Sequence, residues 1–121
     1  MDEDRPIFQQ VAEQIENDII SGALPEDTQV PSTNEFAAFL RINPATAGKG
    51  VNLLVDEGIL YKKRGIGMFV SPGARDRILA QRRERFRADY LLPLVAEAAK
   101  LGITAGDLAG MLRAAEQEAV R

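Results

Sequence analysis

Two helix-start signals stand close together in this chain, and they constrain its fold more than any other feature. Ser32 can cap a helix, and Glu35, three residues later, completes a capping box. Asn43 followed by Pro44 marks the next start, with Asn43 as the N-cap and Pro44 in the first helical position. The helix between them is short and is expected to end near Arg41. Two short helices joined by a few residues form a helix-turn-helix.

Apolar residues at helical spacing give these two helices, and one helix before them, a predicted inward face. The preceding helix is expected to open at Pro6 and to stop at Gly22. The helix after Asn43 is expected to stop at Gly58. The predicted inward-facing residues are Phe8, Val11, Ile15 and Ile19 in the first helix, Phe36, Phe39 and Leu40 in the second, and Val51, Leu54 and Val55 in the third.

The hydrophobic period changes after Gly58. Residues 59–64, ILYKKR, run from apolar to basic, residues 65–67 form a Gly-Ile-Gly turn, and residues 68–70 return as Met-Phe-Val. This pattern predicts a β-hairpin with a basic arm and a glycine tip. Three helices followed by a hairpin is the order of a winged helix-turn-helix. Residues 71–73, Ser-Pro-Gly, are interpreted as a domain boundary.

The remainder of the chain is predicted to be helical. Pro93 lies inside the helical pattern, and because an interior proline costs roughly 3 kcal/mol, a kink or a break is expected there. Thr104 can cap a last helix, with Asp107 at the capping-box position. The predicted fold class is therefore mainly α with a small β-hairpin. A winged helix-turn-helix at residues 1–72 is followed by a two-helix tail at residues 73–121.

Residues 43–50, NPATAGKG, look like a phosphate-binding loop. A Walker loop needs glycine where Asn43 stands and serine or threonine where Gly50 stands, and no hydrophobic strand precedes it, so a nucleotide site is rejected. At a helix start, free N–H groups and the positive end of the helix dipole favour a DNA phosphate instead. Thr46 offers a hydroxyl, and Lys49 follows on the same face, as a helix that enters the major groove requires.

Charge is segregated along the sequence. The net charge of -3 and the pI of about 5.0, taken alone, argue against a nucleic-acid binder. Residues 36–70, however, carry five basic residues against two acidic ones, whereas residues 1–35 carry Arg5 against nine acidic residues. A basic face on an acidic body is compatible with selective binding to DNA.

An enzyme is the less favoured class of function. The chain has no cysteine and no histidine, so thiolate chemistry is excluded and the commonest metal ligand and general base are missing. Its carboxylates fall mostly on predicted surface helices. No catalytic residue, metal or cofactor is therefore expected. No apolar run approaches the length that crosses a bilayer, so no membrane partner is expected and a reducing cytoplasm is the expected location.

The stretch from Gln29 to Val70 resembles the GntR family of bacterial transcription regulators. The family pattern is met in order and spacing by Val30-Pro31-Ser32, by Asn43-Pro44 before Thr46, by Leu54 and Gly58, by Gly65 and Gly67, and by Phe69-Val70. The short helical remainder, with its AKLGITAGDL junction, resembles the YtrA subfamily, in which such a tail serves dimerisation. The resemblance implies a sequence-specific DNA-binding regulator. It implies that the regulator is a homodimer and acts as a repressor on an inverted-repeat operator.

Several positions depart from the family pattern. Asn34 stands where the family usually has arginine, Ile66 stands where the wing often has arginine, and Ala47 stands where valine is usual. Lys49 takes a position where arginine is common, and lysine binds phosphate as a point charge rather than as a bidentate fork. The resemblance therefore implies a lower affinity or an altered operator, with the fold retained.

The predicted DNA-binding residues lie at the start of the second helix, at the start of the third helix and in the wing. They are Ser32, Thr33, Asn34, Asn43, Ala45, Thr46, Lys49, Lys63, Arg64, Gly65 and Ile66. The tail carries more apolar surface than two isolated helices can bury, so a second chain is expected to cover it. The predicted dimerisation residues are Phe86, Tyr90, Leu91, Leu94, Val95, Leu108, Met111 and Leu112.

Several alternatives stay open on the sequence alone. A winged helix that makes only protein contacts, without DNA binding, is the alternative function, and whether a small-molecule effector acts is undecided. Residues 62–64 fit a solvated strand edge as well as a DNA contact. Gly48 and Gly50 fit either tight helix packing or a slim DNA-facing surface. The arginines of residues 75–87 fit a solvated face, a phosphate contact or ion pairs across a dimer. A ligand pocket in the tail is less favoured than a dimer.

Overall fold

The computed structural model describes residues 3–120, which divide into two compact units. The head unit runs up to Gln81, and the tail unit begins at Arg82. The predicted class, mainly α with one antiparallel hairpin, is confirmed, while the functional boundary at residues 72 and 73 stays a prediction. The elements in chain order are α1 (Ile7–Ser21), α2 (Thr33–Leu40), α3 (Pro44–Asp56), β1 (Leu60–Lys63), β2 (Gly67–Val70), α4 (Ala74–Phe86), a π-helical segment (Arg87–Leu91), α5 (Leu92–Lys100) and α6 (Ala105–Val120).

Local hydrogen bonds set the starts of α2 and α3 as predicted. The Ser32 hydroxyl accepts from the Glu35 amide at 3.1 Å, and the Glu35 carboxylate accepts from the Ser32 amide at 3.2 Å, which completes a capping box. Asn43 caps α3 through its side-chain oxygen, and Pro44 occupies the first position. Arg41, with φ of 57°, turns the chain out of α2. The predicted helix-turn-helix is therefore formed.

The core of the head unit is built by α1, α2, α3, the hairpin and the first turns of α4. Its largest fully buried side chains are Ile15, Leu54, Ile59, Leu60, Ile78, Val11, Val51 and Val70. The prediction that Phe39 is buried is wrong, because 84% of it is exposed. The buried face of α2 is centred on Phe36, Ala37 and Leu40, and at about 100° per residue Phe39 lies well around the helix from that centre.

The wing is an antiparallel hairpin that is held on both edges of its second strand. Leu60 pairs with Val70 at its base, and Lys63 pairs with Gly67 next to the turn. On the other edge of β2, the Val30 amide donates to the carbonyl of Met68 at 2.9 Å, and residues 28–30 thereby run beside the strand. This extra pairing anchors the wing to the segment that leads into α2.

The tail unit keeps little of its apolar surface from solvent. Among residues 82–120, Ala98 is the one buried residue. The interruption expected at Pro93 takes the form of the π-helical segment just before it, where the Leu92 amide donates to the carbonyl of Arg87. The capping box of Thr104 and Asp107 is confirmed by two hydrogen bonds of 3.1 Å.

Candidate nucleic-acid interface

The start of α3 presents side chains to solvent, but its amides are already used. The Ala45 amide donates to the side-chain oxygen of Asn43 at 2.7 Å, and the Thr46 and Ala47 amides donate to the Asn43 carbonyl at 3.0 and 3.1 Å. Pro44 has no amide hydrogen. The expectation of free N–H groups for a phosphate is therefore wrong, because the N-cap consumes them. The helix dipole and the side chains of this turn are what remain for an anion.

The exposed side of α3 carries the predicted contact residues together with one that sequence reasoning missed. Asn43, Ala45 and Lys49 are exposed, and Thr46 is half-buried. Asn52, three residues beyond Lys49, is also exposed and offers a carboxamide to the same surface. Its polar type inside an otherwise apolar stretch was the available signal.

The start of α2 lies against this part of α3. A Cβ placed on Gly48 would lie 3.5 Å from the methyl carbon of Thr33, which is ordinary contact distance. Ser32 and Asn34, on either side of Thr33, are exposed. The predicted contacts from α2 and α3 are thus brought together on one side of the head unit.

The two glycines of α3 have different roles. A Cβ on Gly50 would lie 2.6 Å from the carbonyl oxygen of Phe8 and 2.9 Å from the Cβ of Val11, so this glycine permits close packing of α1 on α3. Gly48 has no comparable neighbour. The packing explanation therefore holds for Gly50, and the slim-surface explanation stays open for Gly48.

The turn of the wing is exposed and internally fixed. Lys63, Arg64, Gly65 and Ile66 are all exposed, and the Ile66 amide donates to the Lys63 carbonyl at 3.0 Å. Gly65 adopts φ of 76°, a left-handed conformation that glycine tolerates without strain. The structure therefore places the four predicted wing residues together at the tip of the hairpin.

Gln29 braces this turn, and sequence reasoning missed it. Its side-chain amide donates to the carbonyl of Ile66 at 3.0 Å. A Cβ on Gly67 would lie 2.6 Å from the same amide nitrogen, so the missing side chain of Gly67 makes room for the brace. Gln29 precedes the Val-Pro-Ser motif and has no local signal that would connect it with the wing.

The base of the wing is tied to the loop after α1. The Tyr61 hydroxyl donates to the Asp27 carboxylate at 2.8 Å, and its ring stacks on that of Phe69 with centroids 5.7 Å apart. This hydrogen bond, with a smaller contribution from burial and from the negative charge of Asp27, raises the pKa of Tyr61 above its ordinary value of 10.0.

Two arginines of the run at residues 75–87 bind main-chain carbonyls within the head unit. Arg75 donates to the carbonyl of Ile20 at 3.1 Å, and Arg77 donates to the carbonyl of Gly58 at 3.1 Å. Both carbonyls lie at or just beyond the end of a helix, where cationic donors are favourable. Arg87 lies 3.7 Å from Glu84 in a local ion pair of the exposed kind that contributes little.

The predicted dimerisation residues lie on open surface in the tail unit. Seven of the eight are exposed and Leu108 is half-buried, with exposed fractions that reach 60% for Phe86 and 68% for Tyr90. Within residues 3–120, no helix is both long and apolar enough to span a bilayer, and no cluster of three or more acidic side chains forms a potential metal site.

A helix-turn-helix with a hairpin wing, an exposed third-helix start and a basic turn is the architecture of a winged-helix DNA-binding protein. Comparison with known families makes this specific. The model of the bacterial regulatory proteins of the GntR family matches residues 7–70. The chain therefore belongs to the GntR family.

Two curated relatives from Bacillus subtilis match just over half of this chain. The transcriptional repressor NagR is 39% identical over 66 residues, which are 54% of this chain and 27% of NagR. The transcriptional repressor YtrA is 31% identical over 70 residues, which are 58% of this chain and 54% of YtrA. The chain thus matches less than two thirds of the length of either relative.

Solved structures extend the similarity to the tail. A GntR-family transcriptional regulator from Bacteroides thetaiotaomicron superposes with a TM-score of 0.80 at 30% identity, and the match covers 93% of this chain and 97% of that one. The DNA-binding domain of AraR in complex with operator ORX1 superposes with a TM-score of 0.54 at 32% identity, over 59% of this chain and 87% of that one.

Proposed function

We propose that this protein is a homodimeric, sequence-specific DNA-binding transcription regulator that acts as a repressor on an inverted-repeat operator. The observation that carries the proposal is the exposed side of α3, which bears Thr46, Lys49 and Asn52 on the same head unit as the exposed basic turn of the wing. The family membership supports it, since NagR and YtrA are named repressors and the AraR domain is bound to an operator.

In the proposed complex, α3 enters the major groove and its exposed side chains face the bases and the adjacent phosphates. The Thr46 hydroxyl is suited to a phosphate or a base edge, and the Lys49 ammonium to a phosphate. The wing turn, with Lys63 and Arg64, contacts the neighbouring backbone. Gln29 holds that turn in one conformation, so the turn loses less conformational entropy when it binds DNA.

The proposed dimer rests on the open apolar surface of the tail unit. Phe86, Tyr90, Leu94 and Met111 are each 42% exposed or more. So many large apolar side chains exposed on one unit indicate an interaction site, and a second copy of the same surface would cover them with two-fold symmetry. Such a pair presents two α3 helices, and on B-DNA their half-sites lie about 34 Å apart or at a related spacing.

Selection of bound duplexes from a random DNA pool, with the mass of the protein measured by sedimentation, tests the proposal. The expected result is an enriched inverted repeat and a protein of twice the chain mass. Failure to bind any duplex at low salt would favour the alternative, a winged helix that contacts only proteins. An enriched site without a repeat, or a monomer at working concentration, would contradict the dimer while leaving DNA binding intact.

Lys49→Ala tests the proposed role of α3, with Lys100→Ala in the tail unit as the matched removal of one exposed lysine. The slope of the logarithm of affinity against the logarithm of salt concentration becomes shallower by about one for each phosphate that a cation no longer neutralises. A shallower slope is therefore expected for Lys49→Ala and an unchanged slope for Lys100→Ala. Equal slopes in the two variants would remove Lys49 from the proposed interface.

A further inference from the structure

Both lysines in the predicted DNA-binding set rest on aromatic rings. The Nζ atom of Lys49 lies 4.1 Å from the ring centroid of Phe8, and that of Lys63 lies 4.3 Å from the ring centroid of Phe69. Both distances are inside the range of about 6 Å over which a ring face attracts a cation. Within residues 3–120, neither lysine forms an ion pair with a carboxylate.

The position of Phe8 beside Lys49 follows from the close approach of α1 to α3. A Cβ on Gly50 would lie 2.6 Å from the carbonyl oxygen of Phe8, so the glycine is what allows this carbonyl to approach α3. The half-buried Phe8 ring then lies along the outer side of α3, where it lines an open groove of about 520 Å³ together with Ala45, Lys49 and Asn52. An aromatic residue from α1 thereby becomes part of the surface that α3 presents.

A ring holds a lysine differently from a carboxylate. A carboxylate partner neutralises the charge of a cationic side chain, as Glu13 of α1 does for Arg5. A ring face leaves the net charge in place, and the N–H donors that point away from the ring stay available to a phosphate. A lysine held in this way keeps its full attraction for a phosphate and loses less side-chain freedom when it binds one.

We propose that Phe8 and Phe69 are positioning residues for DNA binding, and that their rings hold the Lys49 and Lys63 ammonium groups ready for backbone phosphates. The inference rests on the proposed function, since it assigns a role within that DNA interface. Phe8 is the sharper case, because Gly50 fixes the helix packing that brings its ring to Lys49.

A double-mutant cycle tests the pairing of Phe8 with Lys49. The affinity of each variant is measured at low salt for the same duplex, whose sequence is arbitrary. Phe8→Leu keeps an apolar side chain and removes the ring, so affinity is expected to fall about two- to fivefold. The same change in a Lys49→Ala background is expected to cause no further decrease. Phe8→Tyr keeps the ring and is expected to retain affinity. The salt slope is expected to fall with Lys49→Ala and to stay unchanged with Phe8→Leu.

Additive decreases in the cycle would overturn the inference, because a purely structural effect of Phe8→Leu acts whether or not Lys49 is present. A wild-type protein that binds no duplex would instead overturn the proposed function. The free protein offers a second readout, since ring currents shift the ε-methylene protons of a lysine held over a ring. Those of Lys49 are expected upfield of those of Lys100 and are expected to lose the shift in Phe8→Leu; coincident shifts in the wild type would also overturn the inference.

Discussion

The head unit and the tail unit differ in how they use apolar side chains. Fifteen apolar residues between Val11 and Ile78 form one buried cluster in the head unit. In the tail unit, within residues 82–120, Ala98 alone is buried, while Phe86, Tyr90 and their neighbours are exposed. One unit therefore closes its own core, and the other leaves on its surface the apolar side chains that the proposed dimer would bury.

Charges placed on the open tail surface are expected to have the largest effect. In Leu94→Lys combined with Met111→Lys, each chain brings two ammonium groups into the proposed interface, and an unpaired buried charge costs several kcal/mol. Sedimentation is expected to show single chains, with the thermal unfolding of the head unit unchanged. The matched control is Phe39→Lys, since Phe39 is a highly exposed apolar residue of the head unit, and it is expected to leave the mass unchanged. A dimeric double variant would remove the tail from the interface.

A cavity in the head core is expected to be the next largest effect. Leu54 is fully buried, so Leu54→Ala is expected to lower the free energy of unfolding by about 2–5 kcal/mol. Leu112 is 54% exposed, and Leu112→Ala is expected to change the stability of a single chain by less than about 0.5 kcal/mol. Urea unfolding at a protein concentration where the chain is monomeric measures both. Equal decreases would mean that the tail unit closes a core without a partner.

The two glycines of α3 provide a smaller test within the head unit. Gly50→Ala forces a Cβ against the backbone of α1 and is expected to destabilise the protein by about 1–3 kcal/mol. The Cβ introduced by Gly48→Ala would lie at ordinary contact distance from Thr33, so this change is expected to stabilise the helix by up to about 1 kcal/mol. Thermal unfolding separates the two, and reversed signs would contradict the packing assigned to Gly50. A decrease in DNA affinity in the more stable Gly48→Ala would support a slim recognition surface.

Structural features that depend on local contacts were predictable from the sequence. The capping boxes at Ser32 and Thr104 and the N-cap at Asn43 each join residues only two or three apart, and all three are formed. The prediction that Phe39 is buried was wrong, because a helical stripe of apolar residues indicates the direction of the buried face but not its width. The same N-cap at Asn43 also removed the free amides that had been expected to bind phosphate.

Contacts between distant parts of the chain were not predictable from the sequence. Gln29 and Ile66 are 37 residues apart, and no pattern around Gln29 distinguishes a brace from an ordinary polar residue. The pairing of Phe8 with Lys49 depends on how closely two helices approach, which Gly50 decides only once both helices are in place. The cations of the proposed DNA-facing surface were therefore predicted from the sequence, whereas the residues proposed to position them were not.

The smallest expected effects concern the pH dependence of stability. The head unit is expected to lose stability at the alkaline end of the pH scale and the tail unit at the acid end. In the head unit the hydrogen bond to Asp27 raises the pKa of Tyr61 above 10.0, so its stabilisation is complete below the unfolded pKa and is lost as pH rises through the folded one. In the tail unit, hydrogen bonds from the Thr104 amide and hydroxyl lower the pKa of Asp107 below 3.8. That stabilisation is present above the unfolded pKa and is lost as pH falls through the folded one.

Matched removals separate these two contributions. Tyr61→Phe is expected to flatten the decline in unfolding free energy above about pH 10, and Asp107→Asn is expected to flatten the decline below about pH 4. Urea unfolding across both ranges measures them, and each variant serves as the control for the other. If the alkaline decline were unchanged in Tyr61→Phe, or the acid decline unchanged in Asp107→Asn, the hydrogen bonds assigned to Asp27 and Thr104 would not be the cause. Because both groups lie at the surface, each difference is expected to be small beside the destabilisation caused by Leu54→Ala.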